Sequence, residues 1–191
     1  VREELSGLGR RRLVLRCARS RGATPATPAG ATRMTMRLIA RRILALESEI
    51  EALEGHLLPL VADRAPALLA VYGVGPDSAA SLLVAVGDNP DRIRTEAALA
   101  ALCGVSPIPA SSGRSTRHRL NRGGDRQANA ALYRIVLVRL AHHAPTQAYM
   151  ARRIAQGRSK RDAIRCLKRY LVRELFPLLR GTAPHGLGTT A

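Results

Sequence analysis

A chain of 191 residues with 31 Lys+Arg against 14 Asp+Glu carries a formal net charge of +17. That length suits one compact domain with appendages, and it buries enough surface to need no disulfides. Three widely spaced cysteines (Cys17, Cys103, Cys166) with no Cys-x-x-Cys pair argue against a disulfide framework and a zinc ribbon and suit a reducing cytosol. The longest apolar stretches, such as residues 65–75 and 78–87, fall short of the ~20 residues of a membrane span. Residues 10–22 are too rich in arginine for a secretory signal. A cytoplasmic protein with no membrane partner is expected.

The charge is unevenly placed. Residues 1–42 carry a net +9, residues 43–104 a net −6, and residues 114–191 a net +14. Codon bias in a GC-rich genome would raise arginine throughout without leaving the middle acidic, so a polyanion partner is the better reading. Aromatic residues make up 3% of the chain and tryptophan is absent, which disfavours base stacking and leaves phosphate contacts as the mode of binding.

In chain order, Val1 stands where a natural chain starts with methionine, which reads as a partial frame or an excised segment. Residues 1–32 are arginine-rich and then Ala/Thr/Pro/Gly-rich, the composition of a partly disordered linker, with a short helix around Arg10–Ala18. Over residues 33–62, Met36, Ile39, Ile43, Leu46, Ile50, Leu53, Leu57 and Leu60 follow one another at spacings of 3 and 4. This is an a/d seam with charged residues beside it. The spacing also fits a helix packing on its own domain. Its regularity and the Ile/Leu alternation favour a self-associating coiled coil dimerising through Ile39, Ile43, Leu46, Ile50, Leu53 and Leu57. Pro59 and Pro66 are expected to limit the helix.

Residues 63–180 read as short helices punctuated by glycine and proline. Helices are expected over Pro66–Tyr72, Asp77–Val86, Glu96–Leu102 behind a Thr95 cap, and Arg126–His142. Another opens at Pro145 and closes at Gly157, and a last one follows Ser159 to about Leu179. On that last helix Ile164, Leu167, Leu171, Leu175 and Leu178 form the apolar face, with Arg161, Arg165, Lys168, Arg169 and Arg173 mostly off it. No strand-like alternation persists, so the fold class is all-α: a long coiled-coil helix, then a compact helical domain. Residues 181–191 read as a disordered tail.

Two constellations could carry chemistry. The stretch Tyr72-Gly73-Val-Gly75-Pro76 between helical segments resembles a helix-hairpin-helix motif, in which Gly73 and Gly75 free backbone N–H groups for a phosphate. The alternative is a tight turn between packed helices. Downstream, Ser111-Ser112-Gly113 sits on a loop stiffened by Pro107 and Pro109, ahead of Arg114, Arg117, Arg119 and Arg122. A serine attacking phosphorus needs such exposure and such cations, whereas composition alone favours a polar loop that only binds phosphate. His142 and His143 lack a third ligand for a metal. Cys103 and Cys166 read as inert core thiols, and Tyr133 and Tyr149 as packing.

The stretch from Leu68 to Leu179 also resembles the C-terminal half of the DEDD-type, bridge-RNA-guided insertion-sequence transposases of the IS110/IS116/IS902 family. The matching pieces are Tyr72-Gly-Val-Gly-Pro76, Val86-Gly-Asp88, Ala101-Leu-Cys-Gly104-Val-Ser-Pro107, Ser112-Gly113, Asn121-Arg-Gly-Gly-Asp125, Ala131-Leu-Tyr133 and Lys160-Arg-Asp-Ala-Ile-Arg-Cys-Leu-Lys-Arg169. The resemblance implies DNA transposition, with Ser112 as the serine nucleophile of strand exchange and Ser111 the fallback if the register slips. It implies DNA and structured guide RNA as partners, a homodimer or higher oligomer, and a bacterial, nucleoid-associated setting. Magnesium is expected in an N-terminal resolvase-like domain that this chain lacks, so the chain itself should hold no cofactor or metal and not transpose DNA alone. A non-catalytic, dimerising nucleic-acid-binding remnant or regulator is the alternative, and a repair-type helix-hairpin-helix module a third.

Overall fold

The structure, a computed structural model, describes residues 2–21, 25–87, 93–110, 118–119, 121 and 123–181. Among these the chain forms nine helices: α1 (Arg2–Leu5), α2 (Arg10–Ala18), α3 (Pro28–Arg64), α4 (Pro66–Leu69), α5 (Pro76–Val86), α6 (Glu96–Leu102), α7 (Arg126–His142), α8 (Ala144–Ala155) and α9 (Lys160–Arg180). One two-residue antiparallel pair, β1 (Ile108–Pro109) with β2 (His118–Arg119), interrupts the helices between α6 and α7. The fold is all-α apart from that pair. No helix of the described residues is long and apolar enough to cross a membrane.

The chain divides into two compact units, residues 1–56 and 57–191. In the first, the stretch whose composition reads as a linker carries α1 and α2. Cys17 and Ala18 of α2 are buried against Ala40 of α3, with Leu13, Val14, Met36 and Leu44 packed around them. Small side chains let the two helices approach closely, a non-local effect that composition does not show. The helix start is local: the Thr27 hydroxyl accepts from the Gly30 N–H, and Pro28 occupies the first helical position. At ~1.5 Å per residue α3 is roughly 55 Å long.

That helix runs through Pro59 and stops at Arg64. Pro59 removes only the hydrogen bond to the Gly55 carbonyl, and Gly55 is exposed, so water can satisfy it. The apolar seam of α3 is largely uncovered: Ile39, Leu46, Ile50 and Leu53 are exposed, and Met36, Ile43 and Leu57 are half-buried.

The second unit is built around α7, which packs against α5, α8 and α9, while α6 lies on α9. Leu68, Leu82, Leu99, Leu132, Ile135, Leu171 and Leu175 are all fully buried there, each contributing on the order of 1.5–3 kcal/mol. On α7, Leu132, Ile135 and Val136 are buried but Val138 is exposed. Three helix starts are held by side-chain caps. Thr95 accepts from the Ala98 N–H at 3.1 Å, Asp125 from the Ala128 N–H at 2.8 Å, and Ser159 from the Asp162 N–H at 3.2 Å. α4 is a single turn, shorter than the Pro66–Tyr72 helix expected, because the chain turns at Gly73 with φ +83°. Of the expected tail, residues 182–191 lie outside the described residues.

A cationic groove at the base of a clamped hairpin

Three separate sequence stretches meet at one point of the second unit. The end of α6 brings in Leu102, Cys103 and Gly104, the start of α7 brings in Gly124, Asp125 and Asn129, and α9 contributes Lys168. Gly104 has φ +64° and lies against Gly124 so closely that a Cβ on Gly124 would stand 2.1 Å from the Gly104 nitrogen and 2.3 Å from its Cα. The Asp125 N–H donates to the Leu102 carbonyl at 2.6 Å. The Asn129 amide donates to the Cys103 carbonyl at 2.7 Å and accepts from the Lys168 ammonium at 2.8 Å. Asn121 closes a turn on the Gly123 N–H at 2.9 Å. This knot fixes the chain just before β1 and just after β2, the paired ends from which the Ser-Gly segment departs.

Beside the knot lies a groove of about 710 Å³ between the β2 end and the α8–α9 corner. Seven cationic side chains line it against one acid, Asp162. Three of the cations are matched: Arg165 by Asp162 at 2.8 Å, Arg169 by Glu96, and Arg173 by Glu96 at 3.2 Å. Arg119, Arg153, Arg158 and Lys168 have no carboxylate partner among the described residues. Arg153 bonds only the neutral Gln156 amide, at 2.9 Å. Tyr170 borders the groove, edge-on to Tyr149 with centroids 5.6 Å apart, and the Arg152 and Arg173 guanidiniums lie over the two rings. Tyr149 thus packs as expected, against the core and in a pair with Tyr170, and its hydroxyl is pushed up to about 12 by burial and by Cys166.

Lys168 is 7% exposed, which corrects its placement off the apolar face of α9. It follows Ile164 by four residues and precedes Leu171 by three, the spacing of the buried stripe. Burial and nearby Arg165 lower its pKa from the usual lysine value. Cys103 is buried as expected, and burial and Asp125 push its thiol up to about 12, so it stays protonated. Cys166 departs from the core reading: it is half-buried and borders the groove.

The other expected site residues separate. Ser112, Ser111, Arg114, Arg117 and Arg122 lie outside the described residues. Arg119 is described, exposed, and lines the groove. Gly73 is turned inward: a Cβ there would meet the Arg139 side chain at 3.3 Å and the Ile135 carbonyl at 3.4 Å, and Arg139 donates to the Tyr72 carbonyl at 2.9 Å. Gly75 opens to solvent at the α5 N-terminus, where Asp77 pairs with Arg134 at 2.6 Å. His143 and Thr146 share a hydrogen bond of 2.8 Å. Among the described residues no three His, Cys, Asp or Glu side chains are grouped to hold a metal ion.

Sequence reasoning missed Asn129, Arg153, Arg158 and the burial of Lys168. Lys168 is signalled by its helical spacing, and Arg153 and Arg158 by their position about Gly157. Nothing local marks Asn129, whose partners are 26 and 39 residues away.

A helical unit of this kind, with a cationic groove against a glycine-clamped hairpin, has a match among known families. Residues 65–151, which take in α4 through most of α8, match the model of the transposase IS116/IS110/IS902 family. Over these residues the chain is similar to the IS116/IS110/IS902-family transposases. Over 138 residues it is 36% identical to the Insertion element IS110 uncharacterized 43.6 kDa protein of Streptomyces coelicolor, a match covering 71% of this chain and 32% of that protein. Over 159 residues it is 27% identical to the Insertion element IS900 uncharacterized 42 kDa protein of Mycobacterium paratuberculosis, covering 80% and 39%. The chain thus spans less than half the length of the curated relatives it matches.

Proposed function

We propose that this chain is the DNA-contacting C-terminal part of a DEDD-type, bridge-RNA-guided insertion-sequence transposase, and that its groove holds the backbone of duplex DNA beside the serine that attacks it. One observation carries the reading: cations without carboxylate partners converge where the described chain enters and leaves the Ser-Gly segment. Ser112 follows Pro109 of β1 by three positions. The knot at Gly104 and Gly124 fixes the base from which that hydroxyl is presented, and Arg119 opposite Ile108 supplies positive charge at the same place.

The chemistry the resemblance implies is nucleophilic: the Ser112 oxygen bonds phosphorus, the 3′ or 5′ oxygen of the cut strand leaves, and the serine proton passes to a base. Neighbouring guanidiniums stabilise the charge that develops on the phosphoryl oxygens. The grouped acids that would hold magnesium are not found among the described residues, so no step is assigned to a metal on this chain. The groove, rather than the Gly73–Gly75 turn, takes the phosphates, because Gly73 is turned inward against Arg139 and Ile135 and Arg134 beside the α5 N-terminus is already paired with Asp77. The exposed seam of α3 supports pairing with a second copy. Guide-RNA contact and nucleoid association rest on the resemblance alone.

Duplex binding by this chain should weaken steeply with salt, with a log–log slope of about −0.9 per phosphate neutralised. Arg153→Ala and Arg158→Ala should each flatten that slope by about one contact's worth. A salt-independent affinity refutes the groove as the binding surface. In the assembled transposase, Ser112→Ala should abolish covalent protein–DNA adducts and leave duplex affinity unchanged, and persisting adducts refute the nucleophile.

A further inference from the structure

Lys168 is the one charged side chain buried in the described part of the second unit, and its surroundings do not neutralise it. Its single hydrogen bond among the described residues goes to the neutral Asn129 amide oxygen, which leaves two ammonium N–H groups without a described partner. Cys103 beside it is held as the neutral thiol. The acids on the neighbouring segments are engaged elsewhere: Asp125 caps α7, Asp162 holds Arg165 and Ser159, and Glu96 holds Arg169 and Arg173. An ammonium removed from water without a counter-charge is costly, and removing one partner from a buried pair has the same effect. One hydrogen bond to Asn129 ties α9 into the knot, but a neutral donor could make that bond, so the positive charge itself has no described counter-ion. Lys168 nevertheless lines the groove, as do Arg153 and Arg158.

We infer that Lys168 is an anion-binding group at the floor of the groove, taking a non-bridging oxygen of one backbone phosphate of duplex DNA. Asn129 orients the ammonium and, through the Cys103 carbonyl, ties it to the clamp on the hairpin. The bound phosphate supplies the missing counter-charge in a site where water screens poorly, so this contact is stronger than that of an exposed arginine. It also places that phosphate at a fixed offset from the hairpin base. The inference rests on the groove being the DNA surface, and it adds one residue with a position.

The test is duplex binding by the full chain. Lys168→Met should lower affinity roughly tenfold to a hundredfold, as expected for a lost hydrogen bond to a charged group. It should flatten the salt slope by about 0.9, while the melting temperature of the free protein moves only slightly, because the lost Asn129 hydrogen bond offsets the relieved burial of charge. If Arg153→Ala and Arg158→Ala weaken binding and Lys168→Met does not, the inference falls and the groove stands. If none of the three weakens binding, both fall. A measurement on the unaltered protein covers the case of a variant that does not fold. The chain has only two lysines, Lys160 and Lys168, so Lys160→Arg assigns their side-chain nitrogen NMR signals. Added duplex should move the Lys168 signal, and a signal that stays in place at saturation overturns the inference.

Discussion

Gly124→Ala tests the clamp directly. An ordinary Cβ contact begins near 3.4 Å, and here the added carbon would meet the Gly104 nitrogen at 2.1 Å, its Cα at 2.3 Å and the Cys103 carbonyl carbon at 2.9 Å. All three obstacles are backbone, so no side chain can swing aside, and relief requires the α6 end and the α7 start to part by more than an ångström. Overpacking of this kind costs about 1–3 kcal/mol and sometimes more. Parting the strands also weakens the Asp125–Leu102 hydrogen bond, worth about 1 kcal/mol net. A loss of roughly 2–4 kcal/mol follows, or on the order of 10 °C in Tm for a domain of this size. Urea unfolding of Gly124→Ala beside Gly75→Ala measures it. Gly75 has open space around its Cβ position and φ −97°, so that variant should stay within about 0.5 kcal/mol of the parent or gain slightly. A Gly124→Ala loss under about 1 kcal/mol, or an equal loss at Gly75, refutes the close backbone contact.

Ile50→Asp, in the middle of the exposed α3 seam, should convert a self-associated species to monomer in sedimentation velocity without lowering helix content; an unchanged mass refutes pairing through this face. Under native conditions at pH 8 a thiol reagent should modify Cys166 ahead of Cys103, and fast labelling of Cys103 refutes its burial. The raised Cys103 pKa also sets a sign. The folded state keeps a proton that the unfolded thiol loses from about pH 9, so this contribution is complete below pH 9 and is lost as pH rises toward about 12. Cys103→Ala should therefore lose less stability than the parent across that alkaline window in pH-dependent unfolding.

The helices were legible because their signals are local. Periodicity placed the long helix, α7 and α9 within a few residues, and Thr95 and Ser159 mark the starts of α6 and α9 by residue type alone. What escaped is non-local or depends on exceptions. Pro59 sits inside α3 because its cost falls on an exposed turn. The β1–β2 pair is two residues long, too short for any alternation to show. Residues 1–32 read as linker because Cys17 and Ala18 acquire an apolar partner only when Ala40 is brought to them. At the site, the Asn121-Arg-Gly-Gly-Asp125 stretch stood out in the sequence, but its reason did not: Gly124 is small because Gly104, twenty residues earlier, occupies the space. Lys168 was misplaced because its charge outweighed its spacing.

Charge also has to be read after pairing. Residues 114–191 hold 17 basic side chains, and five of them are paired with carboxylates among the described residues. Glu96 takes Arg169 and Arg173, Asp77 takes Arg134, and Glu174 takes Arg139 through two hydrogen bonds of 2.9 Å while Arg139 also anchors the Tyr72 carbonyl. These pairs bind helices to one another, and most are exposed enough to contribute little each. Once they are set aside, Arg119, Arg153, Arg158 and Lys168 remain without a carboxylate among the described residues of the groove. They line one groove, beside the one hairpin whose ends the backbone clamps. A surface positive only on average would attract nucleic acid in many orientations. Four uncompensated cations around a rigid base favour one, and a single orientation is what in-line attack on one phosphodiester requires.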